Sequence, residues 1–183
     1  MSVDMDKATA RKAAFAARKE AFARGQGQAA ELLADLLAAH RGRALAGYMA
    51  MRTEIDPTPA MAAHQGAVGV PVILGPGQAL RFREWSPGCA MVDGEFGARI
   101  PADGAWIEPE VVIVPLVGFD ARGYRLGYGG GFYDRTLAGL RARHPVLAVG
   151  FAFAAQELPE VPIDQYDQRL DVIVTEEGIR RFS

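Results

Sequence analysis

Cysteine is almost missing from this sequence. Its one copy, Cys89, has no partner, so no intramolecular disulfide is possible and a reducing compartment is the natural setting. Histidine is scarce too, and His40, His64 and His144 lack the spacing of metal ligands. No stretch approaches the roughly 18 apolar residues of a membrane span. The opening "MSVDMDKATARKAAF" has no apolar leader and carries Asp4 and Asp6, which argues against a secretory or transit signal. The expectation is a cytoplasmic protein. Strong charge of one sign is also missing. The formal net charge is −2, like charges form no tract, and no basic patch alternates with aromatics. Nucleic acid and membrane are therefore not expected as partners. Lysine occurs only at Lys7, Lys12 and Lys19, and the other strongly basic residues are all arginine.

What is present fits one globular domain. The 183 residues are 50% hydrophobic, enough for a sizeable core, with no internal repeat or low-complexity linker. Residues 5–23 are rich in Ala, Lys, Arg and Glu and read as a helix. Lys7, Arg11 and Arg18 fall at i, i+4 and i+11, so they share one of its faces. Residues 28–40 read as a second helix with a stripe of Leu32, Leu33, Leu36 and Leu37. Runs at 43–51, 68–75, 110–119, 146–153 and 170–175 read as strands. Pro71 weakens the second of these or puts it near an edge. Residues 80–85 alternate and form another candidate strand. Asp56 and Pro57 mark a helix start. Residues 86–109 read as a long loop, and residues 176–182 as a short terminal helix. Helices alternating with continuously apolar strands predict an α/β domain of three layers, α/β/α, around a mostly parallel central sheet. Ligands of such sheets bind at the carboxyl ends of strands. The loops after 43–51, 110–119 and 146–153 should therefore converge.

One stretch carries most of the chemical information. "RLGYGGGFYD", residues 125–134, has glycine at 127, 129, 130 and 131 and leads into a run in which Tyr133, Leu137 and Leu140 share a face. Glycine permits positive φ and close approach, so several backbone N–H groups can aim at one point. Together with the positive end of a helix dipole they make an anion site, and phosphate is the natural occupant. The stretch is neither a Walker A loop nor a Gly-x-Gly-x-x-Gly, because Phe132 takes the last glycine's place. A tight strand-to-helix turn is the plain alternative. Flanking Arg125 and Asp134 favour phosphate. Asp134 could hold a Mg²⁺ bound to the same phosphates, since that ion needs only one or two carboxylates; as a simple helix-start acid it would do no more than favour the dipole.

The longer segment "VPLVGFDARGYRLGYGGGFYDRTL" resembles the signature of 5-formyltetrahydrofolate cyclo-ligases, also called methenyltetrahydrofolate synthetases. That pattern runs roughly Phe-Asp-x-x-Gly-x-Arg-Leu-Gly-x-Gly-x-Gly-Tyr-Tyr-Asp. The resemblance extends over nearly the whole chain through "KATAR", "YMAMRTEID", "FREWSPG", "GEFG" and "VPIDQYDQRLDVIVTE", in order. It implies an ATP- and Mg²⁺-dependent closure of 5-formyltetrahydrofolate to 5,10-methenyltetrahydrofolate, with ADP and phosphate released. Its partners would be ATP and a reduced folate, and the chain a monomer or weak homodimer.

By the same resemblance, Lys7 and Arg11 are the ATP-binding pair on the first helix. Arg125, Leu126, Gly127, Tyr128, Gly129, Gly130, Gly131, Phe132 and Tyr133 form the nucleotide loop. Asp134 and Asp167 match the Mg²⁺-binding acids, with Asp164 and Asp171 near enough to compete for the second place. Met49 and Glu54 match folate-contacting positions, and Phe96 and Phe132 could add aromatic contact. Their plain alternatives are a solvated basic face, loop and capping acids, and core aromatics. The chain departs from the pattern at Phe132, where Tyr is common, at Tyr128, where a cation is often found, and at Tyr166, where His is often found. A relative with the same ATP site but another small substrate, and a non-catalytic folate- or nucleotide-binding regulator, are the competing readings.

Overall fold

In the computed structural model residues 3–183 are described; Met1 and Ser2, part of the opening segment, lie outside them. Two helices, α1 (Val3–Arg24) and α2 (Ala29–Ala38), come first. Then follow β1 (Leu45–Ala46), α3 (Thr58–Ala63), β2 (Val68–Val72), β3 (Arg81–Glu84), β4 (Met91–Asp93), β5 (Arg99–Pro101), β6 (Trp106–Ile107) and β7 (Val111–Val114). A small hairpin of β8 (Gly118–Phe119) and β9 (Arg125–Leu126) precedes α4 (Phe132–Arg143). β10 (Leu147–Phe151), β11 (Val172–Thr175) and β12 (Gly178–Arg181) complete the chain.

Eight strands form one sheet in the order β12-β11-β10-β7-β1-β2-β3-β6. The middle five, β11 through β2, run parallel, while β12, β3 and β6 join antiparallel at the margins. Period-two alternation divides the strand residues between two faces. Leu45, Val111, Ile113, Val149 and Val172 pack with Leu33, Leu36 and Leu37 of α2. Ala46, Val112, Val114, Ala148 and Ile173 pack with Leu137 and Leu140 of α4. Both faces of the central strands are thus covered, which explains why β7, β10 and β11 are apolar throughout. The architecture is the expected three-layer α/β fold. Among the described residues no helix is long and apolar enough to cross a membrane.

Several boundaries differ from the sequence expectation for physical reasons. The run 43–51 pairs only at Leu45 and Ala46; beyond Gly47 the chain leaves the sheet and turns over its edge. The run 110–119 is broken at Pro115 and ends in the β8–β9 hairpin. Pro71 sits inside β2, opposite Phe82, but past the stretch that pairs with β1. The expected long loop 86–109 contains the β4–β5 hairpin and the edge strand β6. The expected terminal helix is β12, paired back on β11 with Val174 opposite Ile179 and Thr175 opposite Gly178. Gly178 has φ 149, and the Glu177 N–H donates to Thr175 Oγ1 at 3.1 Å, which closes a hairpin turn where helix-forming glutamates had pointed elsewhere. Helix α3 starts at Thr58, whose N–H donates to Asp56 Oδ1 at 3.0 Å.

Candidate active site

Strand order fixes where a ligand can enter. From β1 the chain moves to β2 on one side; from β7 it proceeds through β10 and β11 on the other. The crevice at the carboxyl ends of β1 and β7 therefore lies where the connections diverge. A cleft of ≈ 1290 Å³ opens there. One-ligand pockets usually hold roughly 300–1,000 Å³, so this one has room for two small molecules. Lys7, Arg11, Met49, Glu54, Phe96, every residue from Arg125 to Asp134, and Asp167 line it. Asp164 also lines it, whereas Asp171 lies elsewhere, accepting from the Ala148 N–H at 2.7 Å and from Arg141.

At one end of the cleft is the glycine loop. Gly131 caps α4 with φ 71, a left-handed conformation that glycine adopts without strain. A Cβ on Gly127 would come within 2.7 Å of Arg125 Nη1, so its absence lets the guanidinium fold back beneath the loop. Arg125 is buried, lies 3.9 Å from Asp134 Oδ1, and faces the Tyr133 ring with 5.5 Å from Cζ to centroid. Burial pulls its pKa below the usual arginine value, against Asp134. Arg11 Nε donates to the Gly127 carbonyl at 2.7 Å, and Arg135 Nη2 to the Gly130 carbonyl at 2.8 Å. The Nε atoms of Arg125 and Arg135 and the Tyr133 hydroxyl are shielded from solvent without hydrogen-bond partners. Such orphaned donors are costly unless a ligand completes them.

Lys7 closes this end from above. Its Nζ lies 2.9 Å from Asp167 Oδ2 and 3.2 Å from Asp164 Oδ2. Burial works against its charge, but those two carboxylates outweigh it and hold the pKa above the usual lysine value. Asp134 accepts the Gln168 N–H at 3.0 Å. Burial raises its pKa, and the neighbouring Asp167 raises it further, a repulsion that a cation between them would relieve.

The other end is centred on Glu54, a buried acid. Its Oε1 accepts the Met51 N–H at 2.8 Å, and its Oε2 accepts the Tyr128 hydroxyl at 2.8 Å. Desolvation raises its pKa despite these bonds. The same Tyr128 hydroxyl accepts Arg18 Nη1 at 2.6 Å, and Arg18 Nε donates to Thr53 Oγ1 at 3.0 Å. Desolvation and the adjacent Glu54 push the Tyr128 pKa up to about 12. Met49, Ile73, Leu80 and Ile100 supply apolar lining, and Phe96 stands at the tip between β4 and β5. Arg52 (φ 54) and Phe96 (φ 55) are the two non-glycine residues with left-handed backbone among the described residues, and both line the cleft. Strain of this kind gathers at functional sites.

The family model for the 5-formyltetrahydrofolate cyclo-ligase family matches residues 4–176. The chain belongs to that family. The 5-formyltetrahydrofolate cyclo-ligase of Escherichia coli (strain K12) is 44% identical over 66 residues, 36% of each chain. The protein of the same name from Haemophilus influenzae is 35% identical over 101 residues, 52% of this chain and 54% of that one. The chain thus spans about a third to a half of the curated relatives it matches. Coverage is wider in structure. The NMR structure of Aquifex aeolicus 5,10-methenyltetrahydrofolate synthetase superposes with a TM-score of 0.74 and 28% identity, over 96% of this chain and 92% of that one.

Three residues that line or brace this cleft escape a sequence reading. Arg18 looked like one more cation on a basic helix face, yet it is only 2% exposed. Arg135 follows Asp134 directly but lies past the last residue that the signature specifies. Asp120, fully buried outside the cleft, accepts the Val161 N–H at 2.8 Å, the Arg122 N–H at 2.9 Å, and the Arg122 guanidinium. It braces the β8–β9 turn that delivers Arg125. The acid-then-glycine spacing of "FDARGYR" was the available signal for such a turn.

Proposed function

We propose that this protein closes 5-formyltetrahydrofolate to 5,10-methenyltetrahydrofolate at the expense of ATP. The observation that carries the reading is the two-ended cleft. Arginine Nε atoms and a tyrosine hydroxyl without partners meet the glycine loop at the start of α4, and a buried acid and apolar side chains line the same cleft. In this reading the glycine loop, Lys7, Arg11 and Arg125 hold the polyphosphate. Glu54, Met49, Phe96 and Phe132 hold the folate. Asp134 and Asp167 fit a Mg²⁺ that arrives with phosphate oxygens. Among the described residues no group of three or more acids, histidines or cysteines is arranged to hold a metal alone. The ion would neutralise phosphate charge.

The chemistry then needs no protein nucleophile. The formyl oxygen attacks the γ-phosphorus and ADP leaves. N10 adds to the activated formyl carbon, the C–O bond breaks to release phosphate, and the N10 proton is lost. The protein's share is to align the formyl oxygen with the γ-phosphorus and to offset charge as it shifts, as in other phosphoryl transfers. A single chain supplies every residue named, so a monomer suffices.

The test is direct. Purified protein is mixed with 5-formyltetrahydrofolate, Mg²⁺ and ATP, and the near-ultraviolet absorbance of the methenyl product is followed against an ATP-free control. ATP-dependent product is expected. Folded protein that binds ATP but yields no product would move the assignment to a relative with another substrate, and binding of folate without turnover would favour a regulator.

A further inference from the structure

We infer that the Tyr128 hydroxyl couples the two ends of the cleft, so that nucleotide on the glycine loop tightens the hold of Glu54 on folate; the inference rests on the function proposed above. Tyr128 belongs to the glycine loop by backbone and to the Glu54 end by side chain. Among the described residues, its bond to Glu54 is the one hydrogen bond joining residues 127–131 to residues 47–54. The bond is built to transmit. Arg18 and Glu54 are only 2% and 6% exposed, a buried cation and a buried anion with the hydroxyl between them. The hydroxyl accepts from one at 2.6 Å and donates to the other at 2.8 Å, both well within hydrogen-bond reach. The ring is held from the side by Phe15, with centroids 5.8 Å apart.

The loop also has a reason to move. Its Gly127 and Gly130 carbonyls are held by Arg11 and Arg135, two guanidiniums that line the cleft. If either turns to a phosphate, it lets go of its carbonyl. Glycines on both sides of Tyr128, Gly129 with φ 101, give the loop backbone freedom to respond. A displaced Tyr128 carries the Glu54 carboxylate with it. Linkage then requires the effect to be reciprocal, folate tightening nucleotide by the same factor.

Titration calorimetry with 5-formyltetrahydrofolate, with and without Mg²⁺ and the non-hydrolysable β,γ-imido analogue of ATP, tests this. The wild type is expected to bind folate about fivefold or more tighter with the nucleotide analogue. Tyr128→Phe, which keeps the ring and loses the hydroxyl, is expected to bind each ligand but show less than about a twofold effect of one on the other. A Tyr128→Phe protein that keeps the wild-type factor, or a wild type that forms methenyl product but shows no factor, overturns the inference and not the functional reading. Absence of product from the wild type overturns the functional reading and this inference with it. Arg18→Lys retains the charge but cannot reach Thr53 and Tyr128 with one rigid fork, and it is expected to lower the factor partway. An unchanged factor in that variant counts against the coupling even if Tyr128→Phe fails to fold.

Discussion

The two ends of the cleft handle charge in opposite ways. At the glycine-loop end, Lys7, Asp164 and Asp167 form ion pairs, Asp134 and Asp167 repel, and the Tyr133 hydroxyl and two arginine Nε atoms go unpartnered. At the Glu54 end, both carboxylate oxygens already have donors, and the one buried guanidinium is bonded to a hydroxyl on each side. The first end is held in an unfinished arrangement that an anion and a cation would complete. The second is prebuilt. Under the function proposed above, the contrast separates an end left for a charged ligand to complete from an end whose acceptors already have donors.

The largest expected effect breaks the unfinished end outright. Asp134→Asn removes one of the repelling acids with little change of shape. Turnover is expected to fall by roughly two to three orders of magnitude, while the melting temperature holds or rises because the repulsion is relieved. Steady-state assays over a range of Mg²⁺ alongside a thermal melt check both halves, and near-normal turnover would remove Asp134 from the metal site. Next, Lys7→Ala is expected to raise the KM for ATP by about tenfold, roughly the worth of one charge-assisted hydrogen bond, and the KM for folate far less. Equal change in the two would erase the division between ends.

Asp120 offers the smallest effect on catalysis and so a control for the comparison. Burial alone would raise its pKa, but the Val161 N–H and the Arg122 guanidinium bonds more than offset it, and the folded value lies below the usual aspartate value. Its contribution to stability is therefore complete above the unfolded pKa of about 3.9 and is lost as pH falls through the folded value. Asp120→Asn is expected to cost about 2–4 kcal/mol at neutral pH and less on acidification below about pH 4, with both KM values within about twofold. Denaturant melts at several pH values check the sign of the trend.

Much of this organisation could be read from the residues. The apolar runs around β7, β10 and β11 announce a buried parallel sheet because both of its faces are covered. The glycine loop, Lys7 and Asp167 follow from motifs whose residues sit close in sequence. Local pattern failed where long-range pairing decided. Residues 176–182 read as a helix, yet the free edge of β11 recruits Gly178–Arg181 as β12. Arg18 could not be told from a surface cation, because its partners Thr53 and Tyr128 lie 35 and 110 positions away and reach it only after folding. Phe96 could not be placed until the β4–β5 hairpin existed to hold it at the cleft.

The Lys7 bridge to Asp167 joins residues 160 positions apart. During synthesis the first helix must wait for nearly the whole chain before that bridge can form. Loop closure over such a distance comes late in folding. A ribosome-bound chain that has not yet exposed Asp167 therefore carries Lys7 and the glycine loop but no closed end of the cleft, so a ligand of that end can report completion of the fold but cannot template its early stages.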